Sequence, residues 1–295
     1  MARRQSWVLV LLVLATGCGS PTPEQALPAP AVSGTSPAPA PTTSPPPSAS
    51  PTAEPDRGEP TAVPVYYVAE TPAGYRLQRE FHPVVTDDPA GAAVREMFAD
   101  PTGADPDYRT YWPPGSALRE PVRRQDGAIV VDLTGVRSAR MGPDLAEATV
   151  QQLVFTVQGA LQSTDPVRIL VDGAPGPDLW DAVDLSAPVE RGDPYALRSL
   201  VQIDSPADGA QVGRDVEVLG EAAVFEATVL WEVLRDGALV RKGFTSTAEG
   251  QRFAPFAFTV TLEPGEYTVR IREDDPSDGE GRPPVSDDKR ITVAG

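Results

Sequence analysis

The chain has 295 residues, a formal net charge of −17, one cysteine and one histidine. The acidic excess is −9 over residues 60–194 and −7 over 195–295, which argues against nucleic acid, a ligand that needs Lys and Arg to neutralise its phosphates, and against lying flat on an anionic leaflet. With so little sulfur and imidazole, no His/Cys set can hold zinc and no disulfide can form within the chain.

Arg3 and Arg4 precede the apolar run Trp7 to Leu14, and small residues then lead to Cys18 in Leu14-Ala15-Thr16-Gly17-Cys18. This is the layout of a secretory signal peptide. An apolar core of about eight residues is far short of the roughly 20 that span a bilayer as a helix, so residues 1–17 are expected to be removed. The motif resembles a bacterial lipoprotein lipobox, with Ala15 where leucine is commonest. The resemblance implies a diacylglycerol on the Cys18 thiol and a protein anchored on the outer face of the cytoplasmic membrane. Two acyl chains would hold it there, because each buried methylene contributes about 0.8 kcal/mol and one chain binds only marginally.

Residues 18–61 are largely Pro, Ala, Ser and Thr, as in Pro37-Ala38-Pro39-Ala40-Pro41 and Pro45-Pro46-Pro47. Such a segment buries too little surface to offset its ordering entropy and is expected to be a disordered tether. The two folded domains are expected over 62–192 and 196–295.

In the first, Val63 to Val68 and Tyr75 to Val85 read as strands around a turn at Pro72-Ala73-Gly74. Asp87 or Asp88 can cap a helix with Pro89 in its first turn and an apolar stripe through Ala93, Val94, Met97 and Phe98. A loop over 101–114 carries Tyr108, Tyr111 and Trp112, a candidate interaction surface because exposed aromatics favour interfaces. Ala117 to Arg124 and Ala128 to Leu133 flank Asp126-Gly127, a hairpin signal. Pro143 opens a second helix with Ala146, Val150, Leu153, Val154, Val157 and Leu161 on one face, and Val167 to Val171 is a short strand. The order ββαββαβ implies an α+β domain, a mixed sheet covered by two helices.

Pro113-Pro114-Gly115, Ile129 to Thr134, Gln151 to Thr156 and Ile169 to Gly173 together resemble the sporulation and spore germination domain of the GerM type. Members of that type resemble ring-building modules of envelope complexes, so the resemblance implies a protein-protein assembly role.

The second domain shows seven extended runs and no helix signal: Leu200 to Ile203, Val216 to Leu219, Thr228 to Leu234, Leu239 to Phe244, Phe256 to Leu262, Tyr267 to Ile271 and Arg290 to Val293. That pattern implies an all-β immunoglobulin-like sandwich with Trp231, Phe256, Phe258 and Tyr267 supplying core area. Ile203 to Val212, Val224 to Val229, Gly243-Phe244-Thr245 and the stretch from Glu273 to Gly279 resemble the immunoglobulin-like domain of bacterial spore germination.

Catalytic signals are thin. His82 reads as a half-exposed strand residue, and Asp132-Leu133-Thr134-Gly135 has one residue too many for an aspartic-protease motif. The acidic run Glu273 to Glu280 departs from calcium-loop spacing, and Arg191-Gly192-Asp193 reads as a chance tripeptide. Of 25 cationic residues only Lys242 and Lys289 are lysines, and asparagine is absent, a composition typical of a GC-rich bacterial genome. No enzyme, cofactor or metal is expected. The function that emerges is a lipid-anchored envelope module contacting an envelope protein; the alternative is binding of peptidoglycan, another wall polymer or a small ligand.

Overall fold

The structure, a computed structural model, describes residues 59–176, 178–275 and 283–295. Cys18, the signal segment and nearly all of the tether lie outside the described residues, as does the acidic run from 276 to 280.

The first domain opens with a long hairpin, β1 (Thr61–Thr71) and β2 (Gly74–Val84), paired antiparallel from Thr61↔Val84 to Thr71↔Gly74. Its turn closes on Gly74 at φ +92°, a conformation that favours glycine. Both faces of β1 are covered. Val63, Val65 and Tyr67 enter the main core, while Tyr66 and Val68 meet Leu77, Ala148 and Phe155 on the other side.

Helix α1 (Pro89–Ala99) is capped by Asp88, whose carboxylate accepts from the Gly91 N–H at 2.8 Å. Pro89 supplies a pre-set φ in the first turn, where no N–H is needed. The next strands are β3 (Ala117–Leu118), β4 (Arg123–Gln125) and β5 (Ala128–Thr134), and both short strands pair with β5. The continuous arm expected over Ala117 to Arg124 is therefore broken around Pro121, which has no N–H to give the ladder. Helix α2 (Pro143–Leu161) ends at Gln162, which turns left-handed at φ +48°. The helix is the crossover that lets β6 (Val167–Val171) run parallel to β5. Short strands β7 (Ala174–Pro175), β8 (Asp178–Leu179) and β9 (Val183–Asp184) complete the domain.

The mixed sheet is thus β3-β5-β6-β7 with β4 also on β5, and the β1–β2 hairpin forms a sheet of its own. Both helices pack on β1 and on each other. Met97 of α1 and Leu153 and Val157 of α2 join Ile129, Val131 and Ile169 in one core, giving the α+β class.

A single turn, α3 (Pro194–Leu197), capped by Asp193, connects the domains. The second domain contains β10 (Val201–Ser205), β11 (Ala210–Val212), β12 (Asp215–Ala222), β13 (Thr228–Arg235), β14 (Ala238–Ser246), β15 (Ala254–Thr261), β16 (Gly265–Glu273) and β17 (Ser286–Val293). A three-stranded sheet β10-β12-β15 faces a five-stranded sheet β11-β17-β16-β13-β14. All seven expected runs are strands, and β11 is an addition, held parallel to β17. Trp231 stacks on Phe258 with ring centroids 4.9 Å apart, and Gly243, its cross-strand partner, leaves the indole room. Apolar burial between the sheets replaces a disulfide as the force holding them together.

Gly220 in β12 lies where a Cβ would overlap the Gln202 carbonyl oxygen and the Phe256 ring. Gly220→Ala is expected to destabilise the protein by about 1–3 kcal/mol through overpacking, read as a lower melting temperature; an unchanged melting temperature would contradict this packing.

Candidate functional site: the interdomain junction

The densest polar chemistry lies where the domains meet. From the loop after α1 come Asp105 and Tyr108, and from β17 come Asp287 and Lys289, alternate residues on one face of the strand. Lys289 Nζ donates to Asp105 Oδ2 at 2.6 Å, to the Tyr108 hydroxyl oxygen at 2.6 Å and to Asp287 Oδ1 at 3.0 Å. The Tyr108 hydroxyl donates to Asp287 Oδ1 at 2.7 Å, and the Ile203 N–H donates to Asp287 Oδ2, also at 2.7 Å. All four side chains are buried, Lys289 to 2% exposure, Tyr108 to 2%, Asp105 to 4% and Asp287 to 6%. Burial works against the charge on Lys289, but Asp287 and Asp105 outweigh it and raise the ammonium pKa. Burial pushes the Asp287 carboxyl upward despite Lys289 and its hydrogen-bond donors, and it pushes the Tyr108 phenol well up.

A second set lies alongside. Arg79 of β2 donates from Nη2 to Asp204 at 2.6 Å and approaches Glu221 at 3.6 Å. The Arg79 N–H donates to the Gln202 side-chain oxygen at 3.0 Å. Arg198 pairs with Glu221 and lies over the Phe253 ring at 4.0 Å. The Ser199 N–H reaches the Leu77 carbonyl at 3.0 Å, so backbone bonding also crosses from linker to hairpin.

His82 connects to this junction through Glu80. Glu80 accepts from the Ala104 and Asp105 N–H groups at 2.9 and 3.0 Å, fixing the loop that carries Asp105 and Tyr108. The imidazole lies 3.4 Å from Glu80, 2.9 Å from Glu96 and 3.4 Å from the Tyr67 hydroxyl. Its pKa is raised, first by the bond to Glu80, with burial opposing and Glu96 adding. A cavity of about 220 Å³ opens here, lined by Arg79, Glu80, Phe81, His82, Asp204 and Lys289 among others.

Residues 64–177 match the family model described as sporulation and spore germination, and residues 200–280 match that of the immunoglobulin-like domain of bacterial spore germination. The chain carries both spore-germination domains. Both families are sporulation and germination accessory domains. A comparison with curated proteins returns no match. Among solved structures, the tandem GerMN domains of the sporulation protein GerM from Bacillus subtilis align at 17% identity over 45% of this chain and 45% of that one, with a TM-score of 0.36. CopC from Methylosinus trichosporium OB3b aligns at 23% identity over 32% of this chain and 92% of its own, with a TM-score of 0.24. A lytic polysaccharide monooxygenase from Jonesia denitrificans aligns at 19% over 30% and 60%, with a TM-score of 0.23. The chain spans less than half of the GerM structure's length.

The aromatic loop of the GerM-type domain corrects the surface expected from its sequence. Tyr108 faces the junction. Trp112, 5% exposed, packs edge-on against Phe98 and Trp180 at 5.7 and 5.2 Å. Only Tyr111 keeps partial exposure, edge-on to Tyr75 at 6.4 Å. Tyr108 and Trp112 turn inward because both join the main apolar core of the domain, where burying their ring area outweighs leaving it in water.

Other singled-out residues are structural. Asp132 accepts from the Gly173 N–H and from Arg119, each at 2.9 Å, tying β5 to the turn after β6. Arg191 lies over the Phe155 ring at 4.4 Å, the Gly192 N–H bonds Gln151, and Asp193 caps α3. Among the described residues no group of three His, Cys, Asp or Glu is arranged to hold a metal ion.

Two outcomes follow from this geometry. A histidine pKa raised by folding adds stability that is complete below its unfolded value of about 6.5 and disappears as pH rises through the folded value. Melting temperature should therefore fall more from about pH 6 to pH 9 in the parent than in His82→Gln; parallel curves would contradict the His82–Glu80 coupling. Arg79→Met strips Asp204 of its cationic partner at a site that is only partly open, leaving it the Gln202 amide, and a loss of about 2 kcal/mol is expected in denaturant unfolding.

Proposed function

We propose that this chain is a lipid-anchored assembly module of the bacterial cell envelope, held at the outer face of the cytoplasmic membrane by Cys18 and acting by protein-protein contact rather than catalysis. The observation that carries the reading is the use of the junction's charged groups. Arg79 and Lys289 are each engaged by a carboxylate of the other domain, which braces one domain against the other. The two germination-type domains thereby act as one body, and the described residues from 59 onward fall in a single compact unit. A stiff body preceded by a Pro-rich segment of tether composition suits the presentation of a surface to a neighbouring envelope protein.

The exposed large apolar side chains support contact through the immunoglobulin-like domain. Phe244 is 70% exposed, with Leu239 and Val240 on the same strand β14 and Phe225 nearby in sequence also open. Exposed apolar surface of this kind commonly marks an interaction site.

Photo-crosslinking residues introduced at Phe244 and Tyr111 in living cells test the assembly reading. A discrete envelope-protein adduct from either position supports it, whereas adducts to wall fragments alone would move the assignment to polymer binding. For the anchor, Cys18→Ser is expected to shift the protein from the detergent-soluble membrane fraction to the aqueous one and to abolish labelling by a radioactive fatty acid. Retention of Cys18→Ser in the membrane fraction would refute lipid anchoring at this residue.

A further inference from the structure

We infer that Lys289 and Asp105 are the two ends of an isopeptide cross-link that the folded protein forms by itself, with Asp287 carrying the protons, so that the two domains become covalently joined. The participants are 184 positions apart in the chain and are brought together only by docking of the domains.

Three observations carry this. The first is composition. Of 25 cationic residues only two are lysines, and the other cations that bridge this junction, Arg79 and Arg198, are arginines. Arginine is the usual residue for buried ion pairs, since its fork is always charged and binds carboxylates bidentately. At the one place among the described residues where two buried carboxylates converge, the chain instead carries an amine, the cationic side chain able to become an acyl acceptor.

The second observation is geometry. Lys289 Nζ lies 2.6 Å from Asp105 Oδ2 and 3.0 Å from Asp287 Oδ1, within the reach required of a nucleophile and its base. Asp105 Oδ1 accepts from the Asp107 N–H at 2.9 Å, a donor positioned for the oxyanion that develops when Cγ is attacked. Asp287 has both oxygens occupied by donors, the Tyr108 hydroxyl and the Ile203 N–H among them. Asp105, whose Oδ1 meets the backbone donor beside it in its loop, is assigned as the electrophile, and Asp287, held by Tyr108 and Ile203 against the ammonium, as the proton carrier.

The third is burial. Lys289, Asp105, Asp287 and Tyr108 are all sequestered from water, which favours condensation over hydrolysis and reproduces the high effective concentration of an intramolecular reaction. The two carboxylates keep the ammonium protonated at rest, so reaction begins when a proton passes to Asp287, whose carboxyl burial has already pushed up.

The step balances without a co-reactant. Asp287 takes a proton from the Lys289 ammonium, and the freed lone pair attacks Asp105 Cγ to form the C–N bond. Asp287 returns its proton to Asp105 Oδ2, then relays a second one from nitrogen, and the Cγ–Oδ2 bond breaks to release water. Ammonium plus carboxylate become a neutral amide plus one water, and Asp287 ends as the carboxylate it began as.

Tryptic mapping of the purified full chain after complete denaturation tests this. The expected product is a branched peptide joining Glu96–Arg109 to Glu273–Arg290, lighter than the two strands together by one water, with fragmentation assigning the link to Asp105 and Lys289. Lys289→Arg, Asp105→Ala and Asp287→Ala should each give linear peptides only, with circular dichroism reporting whether each variant is folded. If the parent protein, held folded at neutral pH, yields only linear peptides, including one ending at Lys289, the proposal is overturned whatever the variants do. A cross-link that persists in Asp287→Ala would remove Asp287 from its assigned role.

Discussion

The structure depends on burying an ammonium between two carboxylates at a domain boundary. Removing each ion from water costs several kcal/mol, and mutual attraction offsets this only when geometry is good and remaining donors and acceptors are satisfied. Lys289, Asp105, Asp287 and Tyr108 meet that condition because each carboxylate that faces the ammonium with one oxygen has its other oxygen fixed by a backbone N–H: Asp105 Oδ1 by Asp107 of its own loop, and Asp287 Oδ2 by Ile203 of β10. Such a set makes sense only with the domains together. Separate either one and the charges face the wrong neighbours, so the network specifies the docked arrangement even where its net contribution to stability is small.

The β1–β2 hairpin transmits that constraint into the first domain. β1 is covered on both faces, so it cannot shift by a residue without exchanging Val65 and Tyr67 for Tyr66 and Val68 between two different cores. Its partner β2 carries Arg79, Glu80 and His82 in register with Tyr66, Val65 and Val63. The side chains that address the second domain and the 103–108 loop are therefore positioned by a strand that packing holds in place. The apolar core thus sets the geometry on which the junction's hydrogen bonds rely.

Much of the fold is legible from short-range pattern. Asp88-Pro89 and Pro143 mark helix starts, Asp126-Gly127 marks a hairpin, and all seven extended runs of the second domain are strands. What fails does so for tertiary reasons. The arm over Ala117 to Arg124 is broken at a proline that local alternation tolerated, and the hairpin's separation from the mixed sheet depends on both helices packing against β1. Tyr108 and Trp112 look like surface aromatics because loop residues usually are; whether a ring turns inward depends on space left by residues far away, such as Trp180 and Asp287. The junction was invisible for the same reason, since its partners are distant in sequence. One trace existed: a lone lysine in the last strand of a chain that otherwise uses arginine almost throughout.

The charge balance explains why the junction takes the form it does. Two acidic domains repel at contact distance, and salt relieves this only for exposed charges beyond about a Debye length of 8–10 Å. Closer in, counter-charge must come from the chain. Three groups at the boundary each face two acids: Arg79 lies between Asp204 and Glu221, Lys289 between Asp105 and Asp287, and His82, a cation when protonated, between Glu80 and Glu96, while Arg198 adds a second cation on Glu221. For Arg79 both acids belong to the other domain, for Lys289 one from each, and for His82 both to its own. The first two couple the domains directly, while His82 acts through Glu80 and the loop it holds. Arg79 and Arg198 balance Asp204 and Glu221, whereas Lys289 between Asp105 and Asp287, and a protonated His82 between Glu80 and Glu96, each leave one negative charge in excess, which backbone N–H groups from Ile203, Ala104 and Asp105 help to stabilise. Around Lys289 and His82 local amide dipoles therefore complete the electrostatics, while around Arg79 a second arginine, Arg198, does so, and together they allow so acidic a chain to bury carboxylates where its two domains meet.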